Sequence, residues 1–594
     1  MIRLSQAHLS SYVGDVLPLE LIGEGITKNT PVTFRISGDA ATLRSFEGDG
    51  TYAFSNGVLV SFAAPGEAII TARYLDNEYT ATVIVREIMS VDDSTPLNYY
   101  IGDLHDHTSQ IHNRDEFAKH LSENVDDYVN FIKNEDLIDF GVISDHACVT
   151  NDYDFYRGFC LADNCDSPII FAGAESEIGY TERDRFDIVH RHSGEIVTFM
   201  SAGCGSVKTW EALEREMTYS HSPVAIFAHP HVVGFSTNGI WNFDYMKHNT
   251  PTMKKIIRGI EMGNGEDRKE NLLHEYAYSA ALDAGFKVSP TCSSDSHGPV
   301  WGYHVMPGKT IILAPEKSRE AFHEALLANR FYACETGNVK LKYTVNGRTA
   351  PTTLALTDRY QFHIELDYFY PDPATAPVFC QLISDYGRTV YQTDVTDNVI
   401  DFTVVSGTAR YFYLRLIDAE GRKTWSMPVW CSREFDEYEE TPLIPLDSSG
   451  FVATASGQDA STVIDGDPFH SWFSNEATPT VIIDMGKVQE ISGFGYYPHM
   501  VLRGKEKGPQ WTSSMETRGL VAEYRLSVSA DGIHYSLISE ITCQTLGCEN
   551  IVTFPTQQVR YVKIEVLSNI GVRSFRKAYA DSTTVIGNLT LFHS

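Results

Sequence analysis

Basic residues and long apolar runs are scarce in this chain of 594 residues. Lys and Arg together number 47 against 78 Asp and Glu, a formal net charge of −31. Holding a phosphate backbone needs clustered Lys and Arg that release counterions, so this balance argues against a nucleic-acid partner. No apolar run reaches the roughly 18 residues that could span a bilayer, and no N-terminal stretch joins basic residues to an apolar run of signal-peptide length. The expectation is a cytoplasmic chain without a membrane partner, exported or cell-surface if a leader preceded it. Ten cysteines are unremarkable at this length. Most stand singly in apolar runs, as Cys292 and Cys380 do, and read as reduced core residues. Cys160 with Cys165, and Cys543 with Cys548, are close enough for small loop disulfides in an oxidising compartment. Neither spacing fits a zinc knuckle.

What is present is concentrated histidine. Gly102 to His112 reads Gly-Asp-Leu-His-Asp-His-Thr-Ser-Gln-Ile-His. The preceding Leu97-Asn98-Tyr99-Tyr100-Ile101 has the character of a strand, and residues i and i+2 of a strand share a face, so His105 and His107 converge on one point. Such a pair supplies two of the nitrogens a zinc-like ion needs at roughly 2.0–2.1 Å. Further short apolar runs end in potential ligands: Phe140 to Ser144 leads into Asp145 and His146, and Ile169 to Ala174 into Glu175. Val224 to Ala228 leads into His229, Pro230 and His231, and Val288 to Ser294 into Asp295 and His297. In a barrel of parallel strands the site is built from residues just after each strand. Between these runs, Asp115 to Asn134, Leu272 to Ala284 and Ser318 to Ala328 carry apolar residues at three- and four-residue intervals, which predicts helices and a largely parallel sheet. The run from Ile257 to Gly265 reads as another strand, with Glu261 and Asn264 either lining the site or satisfied at a strand end.

From roughly Tyr99 to Asn338 the chain resembles the polymerase and histidinol phosphatase (PHP) family of metal-dependent phosphoesterases. Asp-Leu-His-Asp-His-Thr, Ser-Asp-His, Gly-Ala-Glu, Ala-His-Pro and Ser-Asp-Ser-His stand in that family's order. The resemblance implies a distorted seven-stranded, TIM-like (β/α) barrel holding two or three divalent ions, zinc, manganese or iron. His105, His107, His146, Glu175, His229, Asp295 and His297 fall on its motif positions, and His112 follows where the family often has a ligand. A further histidine between the Glu and Ala-His-Pro motifs would be His190 or His192, with His192 slightly preferred. The implied chemistry is hydrolysis of a phosphate ester by a water that the ions activate, with His107, Asp295 and His231 as catalytic candidates. Arg114, Arg157, Arg183 and Arg185 lie in loops where an anion could be held, a solvated surface role being the default for each.

The expected fold is therefore multidomain, α/β plus all-β. Residues 1–90 alternate short β runs with turn residues and look similar to immunoglobulin-like sandwiches; residues 98–338 form the barrel; residues 339–433 return to strands as a second β-sandwich; and 434–445 are an acidic, Pro-containing linker. Residues 446–594 resemble the discoidin (F5/8 type C) jelly-roll modules, through Val463-Ile464-Asp465-Gly466-Asp467, Tyr524 to Gly532 and Val559 to Ile564. That resemblance implies a carbohydrate partner, with His499, Arg503 and Trp511 as contacts, and a calcium near Asp465 and Asp467. Many members place a glutamate where this chain has Ile586-Gly587-Asn588-Leu589. A small-molecule or glycan-linked phosphate ester is the expected substrate. A metal-dependent glycosidase and a non-catalytic carbohydrate-binding protein are the alternatives.

Overall fold

The computed structural model describes the chain apart from residues 1, 46–54, 93, 109–124, 136–137, 148–157, 159–160, 200–208, 218–222, 231, 234–237, 240, 266–270, 297–300, 302–307, 433–441, 499–500, 503–508, 511–516, 543–547 and 574–576. Among the described residues no helix is long and apolar enough to cross a membrane.

The N-terminal region forms two four-stranded sheets. Strands such as Val16–Ile22, with alternate residues buried, turn one face of each sheet inward onto a shared core of Leu19, Val60, Ile70 and Val83. Its Arg86 and His8 ion-pair with Asp163 of the following region.

The central region is built on seven strands: β1 (Asn98–Gly102), β2 (Phe140–Ile143), β3 (Ile169–Arg183), β4 (Val189–Phe199), β5 (Val224–Ala228), β6 (Ile257–Asn264) and β7 (Ser289–Ser293). Neighbours pair in that order. The β1/β2, β2/β3, β5/β6 and β6/β7 pairs are parallel, but β4 runs antiparallel to both β3 and β5. The sheet is thus mixed where a largely parallel one was expected. The connection from Arg183 to Val189 is a short turn, far less than the dozen or so residues a parallel crossover requires. Beyond their last paired residues β1 and β7 meet: the Asp295 amide donates to the His105 carbonyl (2.9 Å) and the His107 amide to the Ser296 carbonyl (3.0 Å). A Cβ at Gly102 would collide with the Phe140 carbonyl, so only glycine lets β1 cross β2 this closely.

Helices cover the sheet. Asn271–Asp283 and Arg319–Leu327 lie within a residue of the predicted spans, the latter capped by Ser318, whose hydroxyl accepts from the Ala321 amide. Val125–Glu135 is helical, within a residue of the C-terminal end of the helix read over Asp115 to Asn134; residues 115–124 lie outside the described residues. On its other edge β1 pairs with Lys309–Ala314, which pairs with Phe331–Cys334. Phe331–Cys334 then pairs with Lys423–Trp425, so strands of the 339–433 region extend the same sheet.

The C-terminal region is an antiparallel β-sandwich of jelly-roll type, in which the long strands Thr480–Tyr497, Thr517–Ser529 and Asn550–Arg573 enclose Phe494, Leu526, Val562 and Ile564. Ile444 and Pro445 already pair with its last strand, Asn588–His593. Most of the stretch read as a linker lies outside the described residues.

Candidate metal centre

The ends of β1, β2, β5 and β7 and the interior of β3 bring six of the sequence-predicted residues together. His105 Nε2 lies 3.2 Å from His107 Nε2 and 3.2 Å from Glu175 Oε1. His107 Nε2 is 3.0 Å from Asp295 Oδ1. His146 Nδ1 stands 2.8 Å from Glu175 Oε2, and His229 Nε2 3.1 Å from Glu175 Oε1. These atoms form three overlapping groups within 4.8 Å: His105, His107 and Asp295; His105, Glu175 and His229; His107, His146 and Glu175. Two nitrogens bound to one ion at roughly 2.0–2.1 Å in tetrahedral geometry sit about 3.3 Å apart, so these separations suit coordination. Glu175 is central: one oxygen faces His105 and His229, the other His146 and His107.

A seventh residue, Glu195, joins them, with Oε2 3.2 Å from His229 Nε2. It stands where a histidine was sought, and alternation along the β3–β4 hairpin explains the difference. Glu175 pairs with Val197 and Glu177 with Glu195, so odd-numbered residues share the face that carries Glu175; Tyr180 pairs with His192 and Glu182 with His190 on the other face. His192 therefore does not join the cluster. It bonds Glu182 at 2.7 Å, and His190 bonds Asp184 at 2.8 Å. The reversed strand direction of β4 made Glu195 invisible to a search for strand-end motifs.

A second layer of carboxylates fixes the ligands. Glu261 Oε1 lies 2.9 Å from His105 Nδ1, while its Oε2 accepts from the His229 amide (2.6 Å) and from Asn264 Nδ2 (3.0 Å). Asn264 Nδ2 also reaches Asp295 Oδ2 at 3.3 Å. The lining role considered for Glu261 and Asn264 is thus one of support. Asp103 accepts from the His105 and Ser294 amides, and Asp106 from the Ser294 hydroxyl, tying the ends of β1 and β7. His229 and Asp295 both hold positive φ, 24° and 49°, a backbone conformation that non-glycine residues adopt rarely and that recurs at functional sites.

Imidazoles and carboxylates shift one another across the cluster. Burial disfavours charge on His105, yet Glu175, Asp295 and Glu261 outweigh it and hold the imidazole well above its ordinary value. Burial likewise opposes a charged His229, but Glu175 and Glu195 raise it to about 9. Burial would raise Glu175 and Asp295; for both, His105 is the leading charge that instead holds the carboxyl well below its usual range. Burial and the neighbouring Glu175 push Glu195 up to about 7. If divalent ions took the place of the imidazole protons, Glu175, Glu195 and Asp295 would supply negative charge to balance them. Nitrogen and oxygen donors in this mixture suit zinc, manganese or iron.

Several expected residues lie outside the described residues: His112, His231 and His297, Arg114 and Arg157, and the proposed sugar contacts His499, Arg503 and Trp511. Arg183 ion-pairs with Asp187, and both Arg185 guanidinium bonds to Glu549 (2.6 Å each) go to the C-terminal region. Cys165 and Cys548 are buried free cysteines, and Cys160 and Cys543 are outside the described residues. At the expected calcium turn, Asp465 bonds His470 (2.7 Å) and the Asp467 amide, and Asp467 accepts from the Phe469 amide. Among the described residues no three-ligand group includes either aspartate.

No family model and no curated protein matches the chain. About a quarter of it is similar to solved family 32 carbohydrate-binding modules. CpGH89CBM32-5 from Clostridium perfringens, solved with GalNAc-β-1,3-galactose, is 20% identical over 25% of this chain and 100% of its own, with a TM-score of 0.20. The family 32 module of NanJ from C. perfringens, solved with galactose, is 18% identical over 26% of this chain and 100% of its own, again with a TM-score of 0.20. A putative chitobiase fragment from Bacteroides thetaiotaomicron is 15% identical, covering 26% of this chain and 93% of its own with a TM-score of 0.20.

Proposed function

We propose that the chain is a metal-dependent hydrolase that cleaves a phosphate ester, carried by a sugar or glycan, at the Glu175 cluster, and that its seven central strands form a distorted barrel of the PHP type. One observation carries the metal-dependent part: the two oxygens of Glu175 each face a different pair of imidazoles, the arrangement of a carboxylate shared between neighbouring ions. The phosphate-ester part rests on the order of the five sequence motifs. Divalent ions seated there would supply charge for a phosphoryl group and bring the pKa of a water towards neutrality.

The chain's own residues do the positioning. His105, His107 and Asp295 converge from the ends of β1 and β7, and Glu261 fixes the ring of His105 from behind. Glu195 Oε2, beside His229 Nε2, is a carboxyl able to hold a proton at the edge of the cluster. Leu104, Phe171, Val197 and Ile226 pack under the site and exclude water from its floor. Backbone pairing of β1 with β7 keeps the two ligand-bearing ends in register.

The second reading is a metal-dependent glycosidase. It is favoured by the docking of the C-terminal region, which we propose binds carbohydrate, against the very hairpin that carries Glu175 and Glu195. A catalytically silent carbohydrate-binding protein has against it the convergence of four imidazoles with Glu175 and Asp295. The deciding experiment is turnover of phosphomonoesters, phosphodiesters and glycans by the full chain, before and after chelation and with added manganese or zinc. Chelator-sensitive phosphate release supports the proposal; glycan cleavage without phosphate release promotes the second reading; no turnover with any metal leaves only binding.

A further inference from the structure

The outward face of the β3–β4 hairpin gathers a second set of ligands that the Glu175 cluster does not use. Strand alternation puts Glu182, His190 and His192 on that face. Cys548 of the C-terminal region comes down onto them, with Sγ 3.8 Å from His192 Nε2 and 3.7 Å from Glu182 Oε1. The ligand atoms of His190, His192 and Cys548 all lie within 4.8 Å of one another. None of the three residues is more than 6% exposed.

We propose that Cys548, His192, His190 and Glu182 form a zinc site that clamps the C-terminal region to the hairpin of the catalytic region. Zn–S near 2.3 Å and Zn–N or Zn–O near 2.0–2.1 Å in a tetrahedron put sulfur about 3.5 Å from each lighter ligand, close to the distances to His192 and Glu182. The His192–Glu182 separation of 2.7 Å opens by about half an ångström to admit the ion.

The surroundings are those of a supported site. Asn242 Nδ2 donates to Glu182 Oε1 at 2.8 Å, and the Tyr180 ring stacks on His192 with centroids 4.8 Å apart. Tyr497, from the C-terminal region, donates to Asp184 (2.5 Å), which is also bonded to His190. Burial of a thiol is ordinary, but this one is aimed at both a carboxylate and an imidazole, where it could exchange its proton for an ion. On binding, the S–H bond breaks, an S–Zn bond forms and the proton leaves to solvent. Thiolate and imidazole select zinc over magnesium, calcium or manganese, whereas the Glu175 cluster offers only nitrogen and oxygen. The two sites therefore differ in chemistry as well as in place: His192 is three residues, about 10 Å of strand, from Glu195.

The test uses the full chain loaded with zinc, and in parallel with cobalt(II), as wild type, Cys548→Ser and His192→Gln. The clamp predicts that each variant loses about one zinc ion per chain while the Glu175 cluster keeps its own. It also predicts that cobalt-loaded wild type shows a thiolate-to-cobalt charge-transfer band that Cys548→Ser lacks. Zinc-edge anomalous diffraction from unaltered chain, which does not depend on a variant folding, should place an ion within bonding distance of Cys548 Sγ. Equal zinc content and an unchanged cobalt spectrum in the variants, or no anomalous peak at that sulfur in zinc-loaded crystals, would overturn the proposal and leave a hydrogen-bonded network only. Loss of phosphatase activity is not part of the readout, so failure here and failure of the hydrolase reading are separable.

Discussion

The two oxygens of Glu261 hold two ligands of the cluster at once: Oε1 meets His105 Nδ1 at 2.9 Å, and Oε2 accepts from the backbone amide of His229 at 2.6 Å. One carboxylate on β6 thereby sets the ring of a residue following β1 and the backbone of a residue following β5. Its bond to Nδ1 turns His105 Nε2 towards Glu175 and Asp295, the nitrogen that would serve as the ligand once an ion took the place of its proton.

Glu261→Gln should therefore weaken metal binding without removing a ligand. Loss of an outer carboxylate behind a ligating histidine typically costs 10–100-fold in metal affinity or activity. Titrating metal-free protein with zinc or manganese, and following hydrolysis over the same range, checks this. An unchanged affinity would mean that Glu261 only fills space.

Glu175→Ala and Asp295→Ala should differ in kind. Glu175 faces four imidazoles, so its removal is expected to lower metal content at every position it touches, whereas Asp295→Ala should deplete chiefly the ion held with His105 and His107. Either change should abolish metal-dependent hydrolysis, because losing a ligand removes both the ion and the activated water. Elemental analysis of the two variants beside wild type provides the comparison. Equal metal content in both would remove the shared-carboxylate reading.

Much of the cluster could be read in advance because its residues follow short apolar runs, so their spacing survives in one dimension. His105, His107, His146, Glu175, His229 and Asp295 all sit in that pattern and come together. Glu195 could not be found that way, since it reaches the site from the middle of a strand running in the opposite direction. His192, the histidine preferred between the Glu and Ala-His-Pro motifs, lies on the opposite face of the hairpin, because on an antiparallel strand parity and not order along the chain decides which face a residue serves. Nothing local in the sequence tells that Lys423–Trp425 continues the central sheet, because sheet pairing across such separations depends on tertiary packing.

The C-terminal region should be less separable than a Pro-containing linker suggests. Tyr497, Leu520, Ala522 and Ile570 pack against Ile188, Leu273 and Tyr276, and Arg185 makes paired bonds to Glu549. Excised residues 446–594 keep their own core but expose this apolar face. The fragment is expected to bind a hydrophobic dye and melt lower than the same region in the full chain. In the full chain, Arg185→Ala and Glu549→Ala should show a coupling of about 1 kcal/mol in a double-mutant cycle, the scale of a well-aligned, partly exposed pair. Strict additivity of the two changes would show that the contact is incidental.

The joint between the helix Asn271–Asp283 and the strands of the 339–433 region should be labile to acid. Glu275 on that helix is buried and ion-paired with Arg415 and with Lys423 Nζ (2.8 Å). Burial opposes its ionisation, but Arg415 and then Lys423 bring its carboxyl down to about 2. A folded-state pKa below the unfolded value of about 4.3 means that the unfolded chain binds more protons as pH falls. The stabilisation is therefore complete above about pH 5 and fades as pH drops through 4 and 3 towards 2, by a total of about 3 kcal/mol. Glu275→Gln lacks that titration and leaves two cations without their partner, so at pH 7 it should already be less stable by about 3 kcal/mol, the scale for breaking a buried pair. Thermal melts at pH 7, 5, 4 and 3 compare the slopes. Wild type should lose more stability than the variant between pH 5 and 3, narrowing the gap between them; curves that stay parallel over that window would show that Glu275 does not carry the acid sensitivity of this joint.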